Sequence, residues 1–264
     1  MKNSILTTSL ILLSILSVIV QYNYRIELDA RLIDAESDSS ISHDLFNKVL
    51  QKHVDEGRVD YGKLKEKPDT FETYLDQLAT ANPKMMNYNE QLTFWINAYN
   101  ALIIKGVIDH YPTKSVRKVK LFRGFFSRLK FQVAEKNYTL NQIEHDILRA
   151  EFVDPRIHFA LVCASISCPP IEDKVFLPET IEEQLDEVTQ KFINNLEKVK
   201  IDRKIRTVYI SKIFKWYKED FTEGYDGVPD FLADYLPPDD ADFVLEDDIK
   251  FHYLDYDWSL NDIK

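Results

Sequence analysis

Between Asn89 and Tyr111 the chain carries Leu92, Trp95, Ile96, Tyr99, Leu102, Ile103 and Val107 at steps of three and four residues. Pro112 then stops the run. That spacing predicts a helix too apolar to float on a surface, so it is read mainly as core. Asn97 and Asn100 lie on it about 60° apart at roughly 100° per residue. Facing inward, each amide needs several hydrogen-bond partners. They are expected either to tie a loop in place or to donate to an oxyanion.

Around this helix the patterns change type. Ser42 caps a helix predicted from His43, with Leu45, Val49, Leu50 and Val54 on one face. Residues 57–61 read as a short extended piece, and Pro68 starts a second helix carrying Phe71, Tyr74, Leu75 and Leu78. Lys130 to Tyr138 alternates, predicting a hairpin that turns at Glu135 to Asn137. Thr139 and Gln142 form a capping-box pattern opening a helix to about Phe152. Ile157 to Cys163 is apolar on both alternating faces apart from His158, which predicts a central two-sided strand. Pro178 opens another helix, strands are expected at Thr207 to Ser211 and Ile249 to Tyr256, and short helices around Phe214 to Phe221 and Pro229 to Leu236. Helices and strands mix without regular alternation and without internal repeats. The prediction is one α+β domain over residues 43–264, helices packed on a mixed, largely antiparallel sheet, after an N-terminal hydrophobic helix.

The N-terminus is a different material. Lys2 precedes Ile5 to Val20, 16 residues without a charge. As a helix this is roughly 24 Å long, short of a bilayer core of about 30 Å unless Gln21 to Tyr24 extend it. Residues 1–24 are therefore expected to be a signal-anchor or a signal peptide, with residues 25–42 a linker. Either reading puts the domain on the extracytoplasmic side, membrane-anchored or secreted.

Composition excludes more than it assigns. Only 6 glycines are present, and neither GxGxxG nor GxxxxGK[ST] occurs. With 44 acidic against 33 basic side chains, the formal charge of −11 repels phosphate backbones, so no nucleic-acid partner is expected. The acidic stretch from Pro237 to Asp248 lacks EF-hand spacing and is read as a solvated loop. No cofactor is implied.

Five blocks carry a resemblance: FWINAYNALIIKG from Phe94, LNQIEHDILR from Leu140, DPRIHFALVCASISCPPI from Asp154, IFKWYKEDF from Ile213 and YDWSLN from Tyr256. In order and separation they resemble the domain-of-unknown-function 547 (DUF547) family. The resemblance implies no reaction. It does imply that the position of Cys168 tolerates serine in plant-type members, which favours Cys163 as the essential thiol.

Within these blocks Glu144 falls on the apolar arc of its helix, and a core-facing carboxylate needs a cation, a donor or its own proton. Arg149, Arg156 or backbone N–H groups would satisfy it; the functional alternative is an orienting or general-acid carboxylate beside His145. Cys163 ends the predicted strand where a small polar loop begins, with His158 on the opposite face. A thiolate nucleophile at Cys163, His145 as base and Glu144 as orienter make a cysteine hydrolase or acyl-transfer enzyme, with Asn97 or Asn100 near the oxyanion. Competing readings of Cys163 and Cys168 are inert packing, a disulfide stapling a non-catalytic binding module, and a metal site shared with His145 or His158. Trp216, Tyr217, Asp257 and Trp258 read as aromatic packing with a polar tether, or as a substrate wall. The partner is an unknown substrate or protein, with the membrane contacted through the N-terminal segment.

Overall fold

A computed structural model describes residues 25, 41–120 and 124–263. The chain divides into Met1–Ser40 and Ile41–Lys264; the predicted hydrophobic helix and nearly all of the linker lie outside the described residues. Among the described residues no helix is long and apolar enough to cross a membrane.

The apolar run forms the spine of the second unit as helix Tyr88–Asp109, in which every residue from Leu92 to Ile104 is buried. Its start is fixed reciprocally. The Asn87 side chain accepts the Glu90 N–H at 3.1 Å while the Glu90 carboxylate accepts the Asn87 N–H at 2.8 Å. Helices Asp44–His53 and Asp69–Thr80 pack on one another, with Phe46, Phe71 and Tyr74 stacked between them.

The α+β class is correct, but among the described residues there is no single sheet under the helices. Two hairpins, Val54–Asp55 with Arg58–Val59 and Phe131–Val133 with Lys136–Tyr138, stand apart from a three-stranded sheet. In that sheet Val199–Asp202 pairs antiparallel with Thr207–Ile210, which pairs parallel with Lys250–Tyr253. The second hairpin turns at Ala134 and Glu135, both left-handed, rather than further along at Asn137.

Two elements differ in kind from expectation. Ile157–Ala160 is a short buried helix, not the start of a central strand. A brief run that is apolar on every face fits a buried helical turn as well as a strand, so periodicity could not separate them. The acidic stretch contains helix Pro238–Val244 rather than a solvated loop. Pro238 opens it, Asp239 and Asp240 sit in the first turn where the helix dipole favours anions, and Phe243 and Val244 are buried beneath.

Candidate active site

The segment after Ile157–Ala160 is lashed to the spine helix. Asn100 donates its Nδ2–H to the Ala160 carbonyl at 2.9 Å and accepts the Val162 N–H on Oδ1 at 3.0 Å. Both ends of the amide are used on the backbone just before Cys163. Ala164 then turns left-handed, at φ 54°, and is fully buried. Beyond it the Ile166 N–H donates to Ser259 O at 3.0 Å, and Lys198 Nζ donates to Ile166 O at 2.9 Å. The loop from Cys163 to Cys168 is therefore held from three sides.

This loop forms part of the lining of a cavity of about 610 Å³, together with Tyr99, Glu144, His145, His158, Tyr217 and Tyr256. The Cys163 sulfur lies 3.0 Å from Ser165 Oγ and 3.2 Å from the Tyr256 hydroxyl. The Cys163 N–H donates to the Cys168 sulfur at 2.7 Å. Burial pushes the Cys163 thiol up, but hydrogen bonds to Cys168, Ser165 and Tyr256 outweigh it, and the net direction is down. Burial, together with its bond to Cys163, holds the Cys168 thiol well above the ordinary range. Of the two thiols, Cys163 is therefore the one whose ionisation is favoured.

Glu144 is buried, as its place on the apolar arc requires, but its partners are not arginines. Tyr99 donates its hydroxyl to Oε2 at 2.9 Å, and the Tyr217 hydroxyl donates to Oε1. Burial and the neighbouring Glu144 charge keep both phenols far above their usual range, so they remain donors. Arg156 is occupied by Asp154, Glu182 and Asp186. Arg149 instead grips Asp220, Nε to Oδ2 at 2.6 Å and Nη2 to Oδ1 at 2.5 Å.

Glu144, His145 and Arg149 all lie on Gln142–Phe152, opened by the predicted Thr139–Gln142 capping interaction. The helix is wound as a π-helix, a rare form associated with functional sites. From it Arg149 links two histidines. Its Nη1 lies 2.8 Å from His145 Nδ1. A guanidinium only donates, so Nδ1 accepts and the neutral His145 ring carries its hydrogen on Nε2. Asp220 Oδ2 lies 2.6 Å from His158 Nε2. A carboxylate only accepts, so Nε2 carries the hydrogen and the neutral His158 ring keeps its lone pair on Nδ1. Both rings line the cavity, and in their neutral forms one carries its hydrogen on Nε2 and the other its lone pair on Nδ1. His158 also stacks on Tyr217 with ring centroids 3.8 Å apart.

Residues 83–193 match the model of a family described as protein of unknown function, DUF547. Residues 83–193 are a DUF547 segment. The matched segment includes Glu144, His145, His158 and both cysteines, whereas Asp220 and the Tyr256 block lie beyond it. No curated protein and no solved structure matches the chain.

Of the residues singled out, Asn97 and Asn100 do not line the cavity. Asn97 donates to Phe176 O at 2.9 Å and accepts the Phe176 N–H at 3.1 Å, so both amides act as loop ties on the backbone. The disulfide alternative is corrected as well: Cys163 and Cys168 are free thiols, the second serving as acceptor for the first's N–H. Among the described residues no group of three or more His, Cys, Asp or Glu side chains is disposed to hold a metal ion. On a strand, alternation would turn His158 away from Cys163. With Ile157–Ala160 helical that alternation vanishes, and both residues line the cavity. All four of Tyr99, Ser165, Asp220 and Tyr256 fall within the quoted blocks, but no local spacing marks them as partners of Glu144, Cys163 or His158.

Proposed function

We propose that this protein is a cysteine-dependent hydrolase or acyl-transfer enzyme with Cys163 as nucleophile and His158, oriented by Asp220, as base. The observation that carries the reading is the His145–Arg149–Asp220–His158 chain, which sets opposite tautomers on two imidazoles of a cavity that also holds the hydrogen-bonded thiol. In the reaction the Cys163 S–H proton passes to His158 Nδ1, and the sulfur lone pair forms a bond to the acyl carbonyl carbon. Collapse of the adduct breaks the bond to the leaving group, which takes the proton from His158. Water, losing its proton to the same nitrogen, cleaves the thioester and restores the thiol, or another nucleophile accepts the acyl group. His145, with Nε2–H available, polarises the substrate oxygen. Glu144 positions Tyr217 and thereby the plane of the His158 ring stacked upon it.

The uncharged stretch Ile5 to Val20 supports an extracytoplasmic setting, with the domain tethered to a membrane or released from it. The test is hydrolysis of p-nitrophenyl acetate by the full chain and its Cys163→Ala and His158→Gln forms. Each substitution is expected to reduce turnover by roughly 100-fold or more. Turnover undiminished in Cys163→Ala rejects the proposal.

A further inference from the structure

The cavity wall beside the thiol is aromatic and cationic, in a chain whose formal charge is −11. Trp216, Tyr256 and Trp258 meet pairwise, with centroids 4.7 Å apart for Trp216–Tyr256 and Tyr256–Trp258 and 5.8 Å for Trp216–Trp258. Because the Tyr256 hydroxyl lies 3.2 Å from the Cys163 sulfur, this wall begins at the nucleophile. Trp216 is 42 % exposed, which is unusual for an indole with nothing to cover it.

Two cations line the same cavity. The guanidinium of the exposed Arg117 lies over Trp258, its central carbon 5.5 Å from the ring centroid, with no acidic partner among the described residues. Lys212 Nζ reaches Asp255 Oδ1 at 3.3 Å, and that carboxylate is fully in solvent. The acid on the cavity lining, Glu144, is buried beneath two tyrosine hydroxyls. An arginine over an indole can keep its N–H fork free for a carboxylate, and it sheds water more readily than an ammonium does.

We propose that the substrate is an anion, an acyl compound whose flat or apolar part lies against Trp216 and Tyr256 and whose carboxylate is held by Arg117, with Lys212 as the second cation. This assignment rests on the cavity being the acyl-transfer site, but it concerns recognition rather than bond-making.

The test uses the full chain carrying Cys163→Ala, which has no nucleophile and cannot turn over. Tryptophan fluorescence is titrated with hippurate, an aromatic acyl group joined to a carboxylate, and with hippuramide, its neutral amide. Hippurate is expected to bind at least about tenfold more tightly, as a charge-assisted pair implies. Adding Arg117→Gln should reduce that preference to below about threefold. Raising sodium chloride from about 0.05 M to about 0.5 M should weaken hippurate and leave hippuramide unchanged. Equal affinity for both probes, binding of neither, or a preference that survives both Arg117→Gln and Lys212→Gln overturns the assignment. Charge-selective binding without acyl transfer by the native chain would defeat the enzyme reading alone.

Discussion

His158 gives its Nε2–H to Asp220 at 2.6 Å, and Arg149 holds the same carboxylate through two of its nitrogens. Arg149 fixes the acid, and the acid fixes which nitrogen of the imidazole keeps its lone pair. Asp220→Asn can present its N–H to His158 and so favour the wrong tautomer. Turnover of p-nitrophenyl acetate should fall by roughly 100-fold or more, as it does in triads whose third member is changed to an amide. His145→Gln retains an N–H donor and should cost about tenfold or less. Steady-state kinetics on these variants and on His158→Gln checks the ranking; a larger loss at His145 than at His158 would reverse the assignment of base and donor.

Stability should fall in two separate steps on acidification. His43 is buried against the Tyr74 hydroxyl at 2.6 Å, and burial lowers it from 6.5 to about 4, with Asp44 opposing weakly. A histidine lowered in the folded state contributes stability that is complete above pH 6.5 and is lost as pH falls through 4, here about 3 kcal/mol. Asp220 is also lowered, its burial being outweighed by Arg149 and His158. Its contribution is complete above its ordinary value of 3.8 and is lost only at lower pH. Thermal melts from pH 7 to pH 2 should therefore flatten between 6.5 and 4 in His43→Gln, and below 4 in Asp220→Asn. A single shared step in both variants would contradict this division.

Asn100→Ala removes the partners of Ala160 O and Val162 N, both buried. Leaving two such groups unpaired should cost about 2–4 kcal/mol in chemical denaturation. It should also loosen the loop enough for Cys168 to react with iodoacetamide in the native state. Unchanged stability would mean the ties are incidental.

The two thiols should differ in reactivity. Both line the cavity, but Cys163 is half-buried with its thiol held low, whereas Cys168 is buried and held high. Limited iodoacetamide at pH 7, read by peptide mass spectrometry, should label Cys163 first. Preferential labelling of Cys168 would contradict the hydrogen-bond assignment.

The contrast between Glu144 and His158 shows how far the sequence could be read. Glu144 declared itself because a carboxylate on an apolar arc is costly and must have a reason. Its partners Tyr99 and Tyr217 come from 45 and 73 residues away, pairings no local pattern reports. His158 was visible as a residue, but its direction depended on whether Ile157–Ala160 was strand or helix. The spine helix and its proline stop were legible because 3.6-residue periodicity persists over six turns. The sheet was not, since three small sheets leave only strands of two to four residues. Cys163 was singled out by its loop, and only tertiary contacts with Ser165 and Tyr256 supply the physical basis for its thiolate.

The central claim is a covalent one, that an acyl group resides transiently on Cys163. The native chain is mixed with excess p-nitrophenyl acetate at pH 7, quenched in acid and mapped by peptide mass spectrometry. A single acetyl adduct on Cys163, absent from Cys163→Ala and longer-lived in His158→Gln, is the predicted result. An adduct carried elsewhere, or p-nitrophenol release that continues in Cys163→Ala, would contradict it.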